Sequence, residues 1–284
     1  RSLFLGEVQP LQPPKKKEEY FLPAGTVTWN FADDMQLRAG ASKTIGRPQF
    51  RELAPQQYLD PDSDRLFIGN PFLTDTEITN FDSRYEYFFG TNQFFTLGAF
   101  YKDMDRPVES IVSEQGATIQ QTYLNAPKAR IYGAEIEVRK VFIDPFTDVW
   151  WLGGKDIFLQ SNYTWSDSEV QVDAGDVVFP LSSAGAPAPA SNFVIDGTRL
   201  QGQSEHVANL QIGWEDPEAS SQGTLIVTYV SERSSARGRP GEPDFIQEPG
   251  VLMDFVYRKE LDVYGRLLAL TFKAQNLLDE DYLE

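Results

Sequence analysis

The chain has 284 residues with 25 basic and 42 acidic side chains, and its formal net charge is −17. This balance argues against a nucleic-acid partner, because contact with phosphates requires clustered Lys and Arg. Cys is absent and His206 is the single histidine, which excludes disulfides and leaves no set of Cys and His ligands for zinc. No stretch of about 20 apolar residues predicts a membrane-spanning helix.

Apolar and polar residues alternate with period two along most of the chain, which predicts strands rather than helices. Each predicted strand has about ten residues or more, the length needed to cross a bilayer at a tilt. Strands of soluble sandwiches average about five or six residues. The segment 1–9 is predicted to be the end of an earlier strand. Ten further strands are predicted near residues 20–31, 35–45, 76–90, 93–104, 129–142, 155–169, 203–215, 222–233, 249–260 and 266–276.

The two faces of the predicted strands differ in polarity. In the segment 80–89, Phe81 and Tyr85 lie on one face, whereas Arg84 and Glu86 lie on the other. In a transmembrane barrel the apolar face contacts lipid and the polar face lines the lumen. We therefore expect lipid contact at Phe81, Tyr85 and Ile136.

The connections between these strands alternate in length. Outer-membrane barrels have short periplasmic turns and long outer loops, so this alternation places every long loop at one end. The loop 170–202 contains the segment 182–190, which is rich in Ser, Gly, Ala and Pro and is predicted to be flexible. Short turns are predicted near 32–34, 90–92, 216–222 and 262–265, a medium turn at 143–155, and long polar loops near 46–75, 105–128, 170–202 and 234–248.

Aromatic side chains cluster just before the short turns, where the hydrocarbon of a bilayer would meet its headgroups. Together these patterns predict an all-β fold, a transmembrane antiparallel β-barrel. A soluble sandwich with the same rings in its core is the alternative. Residues 1–5 do not begin an export signal, so we expect the exported protein to have sequence ahead of them. The aromatic residues are Trp29, Phe31, Tyr87, Phe89, Trp214 and Tyr257.

Four stretches resemble the C-terminal half of the TonB-dependent receptors. They read R-P-x-F-x-E-L at 47–53, G-N-P-x-L at 69–73, N-x-x-x-A-x-x-Y-G-x-E-x-E at 125–137 and N-L-x-D-x-x-Y at 276–282. Their order and spacing together are more specific than any one of them. The resemblance covers nearly the whole chain.

The resemblance implies a barrel of about 22 strands behind a plug domain, with residues 1–284 as its C-terminal portion of about ten to eleven strands. It implies a receptor that imports a scarce solute, such as a ferric siderophore or an oligosaccharide, with energy from the TonB complex. The plug and the first strands are absent from this sequence, so TonB contact is expected through a region outside it. Outer-membrane lipid is the other expected partner, and no cofactor or enzymatic activity is expected.

Two groups of carboxylates have spacings that suggest chemistry. Residues 60–64 read D-P-D-S-D, but the sixth position of a calcium loop is Arg65 instead of Gly. We interpret this segment as a solvated outer loop and keep Ca²⁺ binding as the alternative. Glu135 and Glu137 are about 7 Å apart on one strand face, which also carries Arg139, and we interpret them as polar lumen lining and not as an acid–base pair.

The remaining candidates are one histidine and three arginines. His206 is interpreted as a residue on a strand face, because Ser204, Glu205 and His206 are neighbours whose side chains alternate between faces and form no triad. An outer loop is flanked by three arginines that could receive an anionic ligand, or face solvent or lipopolysaccharide: Arg233, Arg237 and Arg239.

Three other classes of protein remain open at this stage. A passive porin or an adhesin barrel would have no plug upstream, and a soluble β protein would remain in solution without detergent. An enzyme barrel would need a nucleophile and a base in one place, and no such set is present. No catalytic, metal-binding or cofactor-binding residue is therefore assigned, and the ligand-binding residues stay unknown.

Overall fold

The computed structural model describes residues 18–61, 65–115, 118–149, 153–216 and 218–280. Within these ranges the chain is almost entirely β-structure, and it contains no helix with the length and apolar character needed to span a bilayer. The only α-helix among the described residues is the single turn α1 (Phe50–Leu53). The predicted strand at 1–9, residues 62–64 of the acidic segment and Tyr282 of the last motif lie outside the described residues.

The strands of the described residues are, in chain order, β1 (Ala24–Ala32), β2 (Met35–Gly46), β3 (Gln57–Leu59), β4 (Leu66–Ile68), β5 (Thr76–Gly90), β6 (Gln93–Asp105), β7 (Val108–Gln115), β8 (Thr118–Asn125), β9 (Lys128–Phe142), β10 (Asp156–Gln171), β11 (Val177–Val178), β12 (Ala188–Pro189), β13 (His206–Asp216), β14 (Ser221–Val230), β15 (Arg233–Gly238), β16 (Phe245–Gln247), β17 (Gly250–Val263) and β18 (Arg266–Ala274).

Ten of these strands form one antiparallel sheet in the order β1-β2-β5-β6-β9-β10-β13-β14-β17-β18. They are the ten strands predicted from the sequence, and their ends differ from the prediction by at most four residues. Neighbours in this order are also neighbours in the chain once the long loops are set aside, which is the meander of an up-and-down barrel wall. The short turns and the long loops lie at opposite ends, as predicted.

The apolar face of this sheet is its exposed face. Phe81 and Ile136 are 51% and 39% exposed, whereas Glu86 and Thr96 on the other face are only 7% and 4% exposed. The register aligns Tyr85 with Leu97 and Leu97 with Ile136, so one apolar stripe crosses neighbouring strands. A soluble sandwich would bury this stripe, and the opposite arrangement is typical of a barrel wall with a polar interior.

The sheltered face is held together by polar side chains that bridge neighbouring strands. Glu86 on β5 lies 3.1 Å from Nε of Arg38 on β2 and 3.4 Å from Nε of Arg84 on its own strand. Nη2 of Arg84 lies 3.2 Å from Oε2 of Glu137 on β9. The sequence prediction of polar lining for Arg84, Glu86 and Glu137 is therefore confirmed. Gln160 and Arg139 extend this network from Glu137. A separate chain of hydrogen bonds joins Asn162, Asn209 and Thr228 on the next strands.

Aromatic rings bracket the apolar stripe. Near the short turns, the ring centroids of Trp29 and Phe31 are 5.6 Å apart, and those of Tyr87 and Phe89 are 5.4 Å apart. A second group lies toward the long loops, where the rings of Tyr132 and Trp165 meet at 6.0 Å. Two such rows, one at each edge of an apolar band, are typical of barrels that cross a bilayer.

The long loops form a second structure, the loop cap, consisting of residues 47–75, 106–127, 172–205 and 231–249 in their described parts. Its strands form a sheet in the order β16-β15-β7-β8-β4-β3, in which β15 pairs with β7 and β4 with β8 in parallel. An apolar cluster lies against this sheet, and it contains the most deeply buried hydrophobic side chains of the described chain. Its members include Ile111, Leu124, Val170, Val178, Ala190, Val194 and Leu200.

The loop 170–202 packs into the cap, and the flexibility expected for its segment 182–190 stays a prediction. That loop contains two turns of 3-10 helix, Leu181–Ser183 and Ala190–Asn192, and it contributes Val178, Val194 and Leu200 to the apolar cluster. The Ser-, Gly- and Pro-rich composition sets the local turns, but the apolar residues between them decide where the loop packs.

The polarity of the two faces can be tested at adjacent positions of β9. We expect Ile136→Arg to destabilise the assembled native protein by about 2–4 kcal/mol, because it places a charge at the middle of the apolar face. Glu135→Arg is the matched control, since that side chain lies on the polar face, and we expect it to assemble normally. The measurement is urea-dependent unfolding of the native protein in phospholipid vesicles. Equal effects of the two substitutions would contradict the assigned faces.

Candidate functional site

The resemblance motifs position the loop cap. Glu52, the acidic residue of R-P-x-F-x-E-L, stabilises the first turn of the short helix α1. Its carboxylate accepts a hydrogen bond from the Gln49 N–H at 2.8 Å. Its carbonyl oxygen accepts from the Asn70 N–H at 2.6 Å. Gly69 lies so close to α1 that an added Cβ would be 2.4 Å from the carbonyl oxygen of Ala54. The first two motifs therefore dock onto each other, and glycine is required at the contact.

Asn70 joins three loops through one fully buried side chain. Its Nδ2 donates to the carbonyl oxygens of Tyr123 at 2.8 Å and Phe179 at 2.9 Å, and its Oδ1 accepts from the Phe72 N–H at 3.0 Å. The side chain amide thus uses both its donors and its acceptor, as a buried polar group must.

Asn125, which begins the third motif, has a similar role at the border between cap and wall. Its Oδ1 accepts from the Thr74 N–H at 2.7 Å, and its Nδ2 donates to the carbonyl oxygens of Thr74 and Arg106 at 2.9 and 2.8 Å. These asparagines replace backbone pairing where the strands of the wall give way to the cap. The motif residues Glu52, Asn70 and Asn125 are hence structural in the described chain.

A cavity of about 390 Å³ lies between the cap and the sheltered face of the large sheet. We call it the wall cavity, and the wall side chains that line it are Thr76, Ile78, Met104 and Ile131. A second space of about 480 Å³, the loop cavity, lies against the cap sheet and is lined by Arg51, Arg65, Phe67, Gln121 and Tyr123. Both cavities are bordered by Glu52, Val108, Gln201 and Gly202.

The loop cavity combines cations, hydrogen-bond donors and aromatic rings. The guanidinium carbon of Arg51 lies 5.9 Å from the centre of the Phe67 ring, and Arg51 borders Tyr123 in the cavity lining. Burial raises the pKa of the Tyr123 phenol, although the charge of Arg51 opposes this rise, so the phenol stays protonated and can donate a hydrogen bond.

Gln121, which lines the same cavity as Tyr123, is buried, and its side-chain amide oxygen Oε1 has no hydrogen-bond partner among the described residues. A buried polar atom of this kind is a group that a bound molecule can satisfy. Arg65 is also buried, and its guanidinium stacks 4.0 Å from the ring centre of Phe245. The cavity thus presents cations and aromatic rings, and the carboxylates of Glu52 and Asp60 line it as well.

Of the three loop arginines singled out in the sequence, Arg237 has a different role from both of the roles considered. It is 1% exposed and lies opposite Glu109, which is 2% exposed. Its Nη2 is 3.1 Å and its Nε 3.3 Å from Oε2 of Glu109. The interpretation of Arg237 as a solvent-facing or ligand-binding cation is wrong, because its charge is already neutralised inside the cap.

The other two arginines lie closer to the surface. Arg233 begins β15 and donates from Nε to Oε1 of Gln247 at 2.8 Å. Arg239 stacks on Phe193 with its guanidinium carbon 5.6 Å from the ring centre. Neither borders the wall cavity or the loop cavity, so the arginines of the loop cavity are two that the sequence did not single out, Arg51 and Arg65.

His206 begins β13 on the exposed face of the sheet. Its ring stacks on Tyr163 at 6.1 Å, and its Nδ1 shares a hydrogen bond of 2.8 Å with the Tyr163 hydroxyl. The assignment of His206 to a strand face is confirmed. Glu135 shares the sheltered face with Glu137 but does not join the Arg84 network in any described contact.

The acidic segment at 60–64 is only partly described. Asp60 accepts a hydrogen bond from the Tyr58 hydroxyl at 3.3 Å and borders the loop cavity, whereas residues 62–64 lie outside the described chain. Across the described ranges, no group of three or more His, Cys, Asp or Glu side chains is placed so as to hold a metal ion. The calcium alternative for this segment stays a hypothesis.

The cavity residues could not have been found from their local sequence. Arg51, Gln121, Tyr123 and Gln201 come from three different loops, and no spacing pattern links them. The one available signal was indirect, because Arg51 lies inside the R-P-x-F-x-E-L motif and Tyr123 comes just before Asn125. Parallel pairing of β4 with β8 brings these loops together.

The chain matches a known family over nearly its whole length. The family described as "TonB dependent receptor-like, beta-barrel" matches residues 4–277. No protein of curated function matches the chain in sequence.

Solved structures with a similar fold include several outer-membrane proteins. The ferric enterobactin receptor PfeA of Pseudomonas aeruginosa has a TM-score of 0.55 at 16% identity, with 91% of this chain and 35% of the receptor covered. The outer membrane transporter YddB of Escherichia coli has a TM-score of 0.58 at 10% identity, over 90% of this chain and 36% of that chain. The siderophore receptor PirA of Pseudomonas aeruginosa scores 0.53 at 12% identity, over 92% and 39%. This chain thus spans little more than a third of each of these proteins.

The role of Asn70 predicts a specific instability. We expect Asn70→Ala to destabilise the loop cap by about 1–3 kcal/mol, because two buried carbonyl oxygens and one N–H lose their partner. Limited proteolysis of the native protein should then cut within 47–75 and 106–127 before the wall is cut. Asn192→Ala, at an exposed position of another cap loop, is the control and should leave the cleavage rate unchanged. An equal rate for both variants would refute the role of Asn70.

Glu109 predicts a pH dependence of the cap. Burial raises the pKa of Glu109 from 4.5 to about 6, with Asp244 adding to the rise and Arg237 opposing it. Because the pKa of Glu109 in the closed cap is above its ordinary value, the protonated carboxyl group stabilises the closed cap. This stabilisation is fully present below about pH 4.5 and is lost as the pH rises through about 6. The difference between the two pKa values of Glu109 corresponds to about 2 kcal/mol in the stability of the closed cap.

The measurement for this prediction is hydrogen exchange of the cap amides, corrected at each pH for the intrinsic exchange rate. The native protein should show decreasing protection between about pH 5 and pH 7, and Glu109→Gln should show no such change. Protection that increases over this interval would contradict the sign of the effect.

Proposed function

The chain belongs to the TonB-dependent receptor-like β-barrel family, and from this premise we propose that it is part of a receptor that imports a scarce solute with energy supplied through TonB. Family members are outer-membrane receptors and transporters of Gram-negative bacteria, and the similar structures are of that kind. The outer membrane has no nucleotide supply, so energy for uptake has to come from a complex of the inner membrane. The family implies contact with TonB and a small-solute ligand.

We further propose that residues 1–284 are the C-terminal portion of the barrel, about strands 12 to 21 of 22. The share of the similar structures that the chain covers, 35% to 39%, supports this division. In the described sheet, β1 and β18 each pair on one side only. Because a bilayer leaves no unpaired strand edge, the remaining strands of the receptor would pair with these edges, and its plug would fill the lumen and contact TonB.

The solute is proposed to bind first in the loop cavity. The observation that carries this proposal is the convergence of Arg51, Arg65, Gln121 and Tyr123 on one space of about 480 Å³. Guanidinium groups and a protonated phenol match anionic oxygen atoms, and the Phe67 ring offers a stacking surface. A ferric siderophore has both features. An oligosaccharide would use the rings and the amides, whereas a ferric siderophore would also use the Arg51 guanidinium, so we favour the siderophore.

The receptor is proposed to release the solute unchanged. The family consists of receptors and transporters and not of enzymes. Binding, passage past the plug and release then need no cofactor of the receptor. The polar side chains of the sheltered face, such as Arg84 and Glu137, would present a hydrophilic wall along that route.

Energy coupling is tested by transport in cells. We expect a strain without the full-length receptor to lose growth on one ferric siderophore as iron source, and plasmid-borne receptor to restore it. Restoration should fail in a strain that lacks TonB. Uptake that continues without TonB would support the passive porin alternative instead.

The assignment of the loop cavity is tested by Arg51. We expect Arg51→Ala to weaken binding of that ferric siderophore to the purified full-length receptor about tenfold, since one charge-assisted hydrogen bond is worth about 1.5–3 kcal/mol. Arg266→Ala, at the opposite end of the sheet, is the matched control. Titration calorimetry gives both dissociation constants, and equal affinities would place the site elsewhere.

A further inference from the structure

We propose that the buried pair of Glu109 and Arg237 fastens three outer loops into a single lid, which opens and closes as one unit over the wall cavity and the loop cavity. The three loops are the described parts of residues 106–127, 172–205 and 231–249, and they are called the lid below. The use of this lid in uptake rests on the proposed function, but its existence as a unit does not.

The first reason is that the two charges lie deep inside the cap. Arg237 and Glu109 are 128 residues apart in the chain and are 1% and 2% exposed. Arg237 is the largest fully buried side chain among the described residues. Neither group reaches water, so each side chain depends on the other for its hydrogen bonds, and removal of one leaves the other buried without a partner. Moving either loop alone would leave the charge of the other loop unpaired.

The third loop contacts both members of the pair. Nη1 of Arg237 donates to the hydroxyl of Thr198, and Nη2 donates to the carbonyl oxygen of Arg199. The Gln201 N–H donates to Oε1 of Glu109 at 3.4 Å. The loop 172–205 is thereby held by the cation of one neighbouring loop and the anion of the other.

Backbone and side-chain contacts around the pair join the same three loops. Ser110 donates from its N–H and from its hydroxyl to Oε1 of Gln201, both at 2.8 Å. The Gly202 N–H donates to the carbonyl oxygen of Ser234 at 2.8 Å. The parallel pairing of β15 with β7 is short, with two residue pairs, and the ion pair adds a side-chain link between those strands.

The lid borders the space where a solute would bind. Gln201, which contacts Glu109, lines both cavities, and Glu109 itself lines the wall cavity. Displacement of the lid would therefore remove one wall from both cavities in a single movement. The fourth loop, residues 47–75, contributes Arg51 and Glu52 to the cavities and makes no described contact with the ion pair. Opening of the lid also requires that the hydrogen bonds from Asn70 to Tyr123 and Phe179 break.

The experiment is hydrogen exchange of the full-length receptor in lipid nanodiscs at pH 8, read for amides within 108–112, 198–202 and 233–238. In the native receptor we expect these three segments to share one opening equilibrium, with the same protection and the same response to urea. Arg237→Gln leaves a buried carboxylate without its cation, and we expect it to lower protection at least tenfold in all three segments by a common factor.

Two further variants make the result specific. Adding Glu109→Gln to Arg237→Gln removes the stranded charge and should restore much of the protection, whereas a lost packing contact would not be restored. Arg106→Gln breaks an exposed ion pair with Glu77 in one of the same loops and should change nothing. Protection of β9 and β10 reports in each variant that the wall is intact.

The proposal is overturned if Arg237→Gln lowers protection only in the segment 233–238, or if the double variant is no better protected than the single one. If the single variant fails to assemble, the test rests on hydrogen exchange of the native receptor. Different protection or urea dependence among the three segments would then show that the loops move separately. No solute or TonB is present in this experiment. Failure of TonB-dependent uptake would therefore refute the proposed function but not the lid. Loops that move separately would refute the lid but not the proposed function.

Discussion

The structure depends on one constraint, the need of every strand of the wall to find a hydrogen-bonding neighbour on both sides. In hydrocarbon an unpaired N–H or C=O group costs several kcal/mol. Ten long strands therefore pair in sequence order with almost unbroken registers from β1 to β18. Because side chains alternate along each strand, a fixed register also fixes the faces. Tyr85, Leu97 and Ile136 are aligned on the exposed side, and the charged groups of Glu86, Arg84 and Glu137 meet on the sheltered side.

The loop cap obeys the opposite rule. It packs apolar residues such as Ile111, Leu124 and Val194 inside, as a small soluble domain does. At the border between the wall and the loop cap, strand pairing ends, and asparagine side chains form hydrogen bonds with the backbone instead. Asn70 and Asn125 satisfy carbonyl and N–H groups of loops that are distant in the chain. This explains why the resemblance motifs are located at that border, and why the cavities are located there too.

The pair of Glu109 and Arg237 is better understood as a coupling element than as a source of stability. Burial raises the pKa of Glu109 to about 6 in spite of the neighbouring guanidinium, so the cost of removing the carboxylate from water exceeds what the pairing returns. Such a pair stabilises little by itself, yet losing one member is costly. An ion pair with these properties makes the three loops of the lid depend on one another, as is needed if the lid moves as one unit.

The sequence by itself determined the wall: the strand positions, the polarity of both faces, the end at which the long loops lie and the family. Period-two alternation is a local property, and a strand that crosses a bilayer has to display it along its whole length. The loop cap was decided by tertiary structure. The composition of 170–202 indicates turns, but its burial depends on apolar partners in other loops. Arg237 appeared to be a surface cation for the same reason, since Glu109 is 128 residues away. Long-range pairing of this kind follows from which loops the registers of the wall bring together, and no local pattern encodes it.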